Sequence, residues 1–80
     1  MTIELRLFAS LRKHLPPGSP RGKCSLELPD GTTVGAVLAQ VHIPFASAHM
    51  ILVNGEHDRD FERVLADGDV LSVFPPVAGG

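Results

Sequence analysis

The arrangement in this sequence that best suggests covalent chemistry is its last six residues. Pro75-Pro76-Val77-Ala78-Gly79-Gly80 follows an apolar segment ending at Phe74. Proline cannot donate to a sheet ladder, so Pro75 and Pro76 should end the strand and project the chain in extended form. Six extended residues reach roughly 20 Å. Gly79 and Gly80 lack side chains, so they can thread a narrow channel, with Pro75, Pro76, Val77 and Ala78 as the stem. What such an arm delivers is the α-carboxylate of Gly80. A carboxylate is inert until activated. ATP can convert it to an acyl-adenylate, and a sulfur nucleophile can then displace the AMP. The carrier itself needs no catalytic side chain for this.

The side chains offer less. Cys24 is the single thiol, and its parity with Leu26 and Leu28 places it in the core, where a cysteine behaves as a small hydrophobe. His14, His42, His49 and His57 share no metal-ligand spacing and read as solvated histidines; no metal site is expected. Asp67 and Asp69 flank Gly68, a pattern that turn chemistry explains better than acid/base catalysis. The serines have no visible base partner, and no glycine-rich phosphate loop is present. The chain is not expected to be an enzyme by itself.

The elements that position the arm follow from periodicity. Ile3, Leu5 and Leu7 alternate with Thr2, Glu4, Arg6 and Phe8, which predicts a half-buried strand. Ala9 to Leu15 is short and helix-permissive, and Pro16 to Gly22 is a loop. Lys23 to Leu28 alternates again, with Cys24, Leu26 and Leu28 inward. Val34, Val37, Leu38 and Val41 form a helical stripe behind a plausible N-cap, Thr33. Gly35 weakens that helix and Pro44 ends it. Met50 to Val53 is a continuous apolar run, short enough for a buried strand. Asn54-Gly55 signals a tight hairpin. Asp58 to Leu65 reads as irregular with one short helical turn, and Val70 to Phe74 as the last strand. This order predicts an α+β fold with one mixed sheet packed on one main helix. With the first and last strands side by side at the centre, it matches a ubiquitin-like β-grasp. Residues 1–74 would form the domain and 75–80 an extended, flexible tail.

Parity also bears on docking. Leu71 and Val73 face the helix, leaving Val70, Ser72 and Phe74 on the open face, where Phe8 also falls. Parallel neighbours would bring Phe8 and Phe74 together at the base of the tail, as an aromatic docking pair. Leu11 or Leu15 could partly cover them.

Composition narrows the classes. With 80 residues there is one domain. At 44% hydrophobic and 20% charged, the chain is too apolar to be disordered. A net charge of −2 with no Trp or Tyr argues against a nucleic-acid partner. No apolar stretch approaches membrane-spanning length, no signal peptide opens the sequence, and one cysteine makes no internal disulfide. The cytoplasm is the expected compartment. Charge is uneven: residues 1–23 carry a net of +4 and residues 56–69 a net of −4.

Several segments together resemble the MoaD/ThiS family of sulfur carriers, with its molybdopterin synthase small-subunit branch the nearest. They are Leu5-Arg6-Leu7-Phe8-Ala9-Ser10-Leu11-Arg12, Val53-Asn54-Gly55-Glu56, Asp67-Gly68-Asp69 and Val73-Phe74-Pro75-Pro76-Val77-Ala78-Gly79-Gly80. The resemblance implies that an E1-like adenylyltransferase activates Gly80 with ATP and that a sulfur donor protein converts it to a thiocarboxylate. The large subunit of molybdopterin synthase would then receive the tail, with Phe74 as a docking position. No cofactor would be bound by the carrier itself. A thiamine-pathway carrier, a ubiquitin-like protein modifier and a plain ubiquitin-like binding module are the alternatives.

Overall fold

The computed structural model describes residues 1–76; Val77, Ala78, Gly79 and Gly80, with most of the expected tail, lie outside the described residues. Strand β1, Thr2–Leu7, forms as its alternation requires, with Ile3, Leu5 and Leu7 buried. β2, Lys23–Glu27, runs antiparallel beside it. After helix α1, Val34–Gln40, come β3, Met50–Val53, and the two-residue β4, Glu56–His57. Asn54 and Gly55 join these last two with φ of 54° and 83°, the pair of positive angles that a tight I′ hairpin demands. β5, Val70–Phe74, returns to the centre, parallel to β1 and antiparallel to β3. The sheet order is β2-β1-β5-β3-β4. The expected mixed sheet with its first and last strands adjacent is therefore present.

The core lies between the sheet and α1. Leu5 pairs with Leu71 and Leu7 with Val73 across the central ladder. Val34, Val37 and Leu38 cover them from the helix, all buried, and Val41 caps the helix half-buried. Thr33 is the N-cap: its Oγ1 accepts from Ala36 N–H at 3.1 Å. Gly35 is more than a weak helix residue. Its N–H donates to Phe61 C=O at 2.7 Å. A Cβ there would sit 3.0 Å from that oxygen and 3.1 Å from the Phe45 ring. Phe45 and Phe61 stack with centroids 4.3 Å apart, so the glycine admits this aromatic pair against the helix. Gly35→Val should lower stability by about 1–3 kcal/mol through overpacking. Urea unfolding measures this; an unchanged midpoint would show that the close approach is not needed.

Four local expectations change. Cys24 and Leu26 share the inward face but are only half-buried, because β2 is an edge strand with no outer neighbour to cover them; partial burial pushes the Cys24 thiol pKa up. Met50–Val53 alternates rather than being buried throughout: Ile51 and Val53 are buried, while Met50 is 36% exposed. Ala9–His14 is a 3-10 helix, and His14 is half-buried with Nδ1 3.0 Å from the Val41 carbonyl oxygen. Asp58 to Leu65 is irregular, with a single hydrogen-bonded turn at Phe61-Glu62 (Arg63 N–H donates to Asp60 C=O at 3.0 Å) and no helix, and Val64 bridges to Thr33, tying the segment to the start of α1.

Candidate functional site

The site is the end of the sheet from which the tail leaves. Because β1 and β5 are parallel, their C-terminal ends coincide. Phe8 continues the ladder one residue past β1, its N–H donating to Val73 C=O at 3.3 Å. Phe74 closes β5 and its C=O accepts from His49 N–H at 2.9 Å. The two rings stack with centroids 4.1 Å apart and planes 11° from parallel. This is the side-by-side placement that strand parity predicts, with both residues half-buried. Leu11 is buried in the core, and Leu15 is half-buried against it.

Register extends the aromatic pair into a groove. Met50 lies directly across from Phe74. With Ala9, Ser10, His49, His57, Pro75 and Pro76, these three side chains line an open, largely apolar groove of about 740 Å³. Pro75 is half-buried in it and Pro76 exposed. The structure thus brings Phe8, Phe74, Pro75 and Pro76 together; Val77, Ala78, Gly79 and Gly80 fall outside the described residues. Met50, His49 and His57 are lining residues that sequence reasoning missed. The run Met50–Val53 is apolar throughout and carries no sequence signal for this; only the β3–β5 register aims Met50 at Phe74.

One open-face residue departs from its expected exposure. Ser72 lies between Arg6 and Leu52 on the open side yet is only 8% exposed. It occupies the central strand, where larger neighbours on both sides shield a small side chain.

The charged groups have structural partners of different kinds, and Asp67 and Asp69 lie at the far end of the sheet from the groove, where β1 and β5 begin. Asp67 accepts from Thr2 N–H at 2.7 Å. Asp69 accepts from Ala66 N–H at 2.8 Å and from the Asn54 amide at 2.9 Å, while Asn54 Oδ1 accepts from Val70 N–H. The Ala66 bond, then the Asn54 bond, hold the Asp69 carboxyl below its usual range. These two carboxylates are committed to turns, as the sequence suggested. In the acidic stretch, the backbone bond from Asp60 and then the bond from Arg63 lower the Asp58 pKa. By contrast, Arg12, Lys13, Arg21 and Lys23 form no ion pair among the described residues. They cluster at the same end of the sheet as the groove. Among the described residues, no cluster of metal-ligating side chains occurs and no helix is long and apolar enough to cross a membrane.

A five-stranded mixed sheet with parallel first and last strands, closed by one main helix, defines a ubiquitin-like β-grasp protein. The ThiS family model matches residues 5–80, and the chain belongs to that family, the MoaD/ThiS sulfur carriers that the terminal residues resemble. It is 34% identical to small archaeal modifier protein 3 of Haloferax volcanii, with all of both chains covered. The crystal structure of SAMP1 from Haloferax volcanii superposes with a TM-score of 0.72 at 30% identity, again over the whole of both chains. A putative molybdopterin converting factor subunit 1 from Pyrococcus furiosus gives 0.71 at 26% identity, covering 95% of this chain and 98% of its own.

Proposed function

We propose that this chain is a sulfur carrier for molybdopterin biosynthesis and that the Gly80 carboxylate is its working group. An E1-like enzyme joins that carboxylate to the α-phosphate of ATP and releases pyrophosphate. A sulfur donor protein then supplies hydrosulfide, freed from a donor persulfide by a thiol that is left in a disulfide with the donor, and the hydrosulfide attacks the acyl carbon. A carbon–sulfur bond forms, the bond to phosphate oxygen breaks and AMP leaves, so one oxygen of the carboxylate is replaced by sulfur. The thiocarboxylate is delivered to the large synthase subunit, which passes the sulfur to the pterin precursor. The compartment for this chemistry is the cytoplasm, which keeps thiols reduced.

The observation that carries this reading is the stacked Phe8–Phe74 pair in an apolar groove at the root of the Pro75-Pro76 stem. It gives a partner a fixed grip beside a slim arm ending in glycine. In this reading residues 1–74 are the handle and residues 75–80 the arm. The likeness to a molybdopterin converting factor subunit supports the pathway. The modifier relatives favour a second reading on the same terminus. There a lysine amine of a target protein attacks the acyl-adenylate and an isopeptide bond forms as AMP leaves.

Intact mass spectrometry separates the two. Incubation of the chain with ATP, the E1-like enzyme and a sulfur donor should yield one oxygen-to-sulfur replacement, localised to the C-terminal peptide. Covalent adducts on target lysines without a thiocarboxylate would favour the modifier. Sulfur found on Cys24 would overturn the carrier reading. The grip has its own test. Phe74→Ala should keep the fold and weaken binding to the E1-like enzyme and the large subunit about thirtyfold, the equivalent of a 2 kcal/mol hot spot. Calorimetric titration reads this, and unchanged affinity for both partners would exclude the groove as the interface.

A further inference from the structure

The outer edge of β2 lies apart from the Phe8–Phe74 groove. No described residue pairs with it in the sheet. Its outward backbone groups can be identified from the ladder. Met1 and Leu28 exchange two bonds: the terminal ammonium donates to Leu28 C=O, and Leu28 N–H to Met1 C=O, both at 2.8 Å. Doubly bonded pairs alternate along an antiparallel ladder. In the observed register the next such pairs are Ile3 with Leu26 and Leu5 with Cys24. Lys23, Ser25 and Glu27 therefore turn their peptide groups away from β1. Lys23 N–H is held by Pro20 C=O. The Lys23 C=O and both peptide groups of Ser25 and Glu27 remain on the edge.

The side chains make this edge complementary to itself. Lys23 stands across from Arg6 in its own sheet and has no carboxylate within ion-pair distance among the described residues. Glu27, four residues on, is exposed. We propose that two copies of this chain pair antiparallel through β2, about a two-fold axis at Ser25, joining their sheets into one. Ser25 N–H then donates to Ser25 C=O of the second copy, reciprocally, and Glu27 N–H donates to Lys23 C=O of the second copy. Each Lys23 faces Glu27 of the other copy. On the opposite face Cys24 meets Leu26 of the second copy, so the two half-buried residues of the edge gain cover. A parallel arrangement would set Lys23 beside Lys23 and Glu27 beside Glu27, where like charges oppose pairing. Pro29 has no N–H at the next outward position, which limits the junction to three residues. β1 separates β2 from β5, so the Phe8–Phe74 groove stays open in the dimer.

So short a junction makes a weak, concentration-dependent dimer. Sedimentation equilibrium of the full chain from about 10 µM to 1 mM should show the mass rising toward twice the monomer. Ser25→Pro removes the outward N–H and leaves the bonds to β1 intact; circular dichroism should be unchanged and the dimer lost. Lys23→Glu should weaken association about tenfold, and Lys23→Glu combined with Glu27→Lys should restore it. The charge swap stands on its own if Ser25→Pro fails to fold. A chain that stays monomeric to about 1 mM overturns the proposal. So does a folded Ser25→Pro variant that dimerises as before, or a double reversal no tighter than Lys23→Glu alone.

Discussion

One residue appended after Gly80 should reduce sulfur transfer to the level seen without any carrier. The proposed chemistry needs a free carboxylate at the tip of the arm. An added residue turns that carboxylate into a peptide carbonyl, whose nitrogen is a far poorer leaving group than AMP. It also moves the terminal carboxylate one residue further from the domain. The extension lies beyond the core, so thermal unfolding should match that of the native chain. Proteolytic removal of the added residue should restore the thiocarboxylate in the intact mass. Sulfur incorporation into the uncut, extended chain would sink the proposal that Gly80 is the working residue. Gly79→Val provides a graded version. A β-branched side chain thickens the arm and restricts its backbone, so adenylation or sulfur transfer should fall.

Leu71→Asp should leave no folded domain. Leu71 is fully buried and sits at the crossing of the two central ladders, opposite Leu5 on one side and Val53 on the other. An unpaired carboxylate there costs several kcal/mol by desolvation alone, and the leucine packing is lost as well. Total stability of a small domain is about 5–15 kcal/mol, and a chain this short is near the lower end. The native far-ultraviolet spectrum should be lost at 25 °C. A folded variant would mean that the inward and outward faces of β5 are assigned the wrong way round.

The inward face of β1 and β5, the α1 stripe and the Asn54-Gly55 hairpin were legible because each is written in a local period or dipeptide. The Phe8–Phe74 pair was legible for the same reason: parity on two strands plus one assumption about their adjacency. Cys24 and Leu26 were not placed correctly, because parity gives the face of a residue but not whether its strand has neighbours on both sides. Met50 escaped for a related reason. Its run is uniformly apolar, so only the pairing of β3 with β5 reveals that it lines the groove. Gly35 looked like a defect within its helix. Its purpose is visible only in the approach of Phe45 and Phe61 from distant parts of the chain.

The parallel pairing of β1 with β5 also governs when the protein can come into being. The ladder at the middle of the sheet joins Glu4–Leu7 to Val70–Val73, more than sixty residues later in the sequence. Until β5 has emerged from the ribosome, β1 lacks its central neighbour and Leu5 and Leu7 lack Leu71 and Val73. Early collapse can form only the β1–β2 and β3–β4 hairpins and α1, whose contacts are local. Closing the centre then carries the full entropy of a chain-length loop, which slows folding relative to a helical protein of this size. A nascent chain cut short before β5 therefore has neither a finished core nor an arm. β5 and residues 75–80 are consecutive in the sequence, so a chain long enough to carry the latter carries every strand of the sheet.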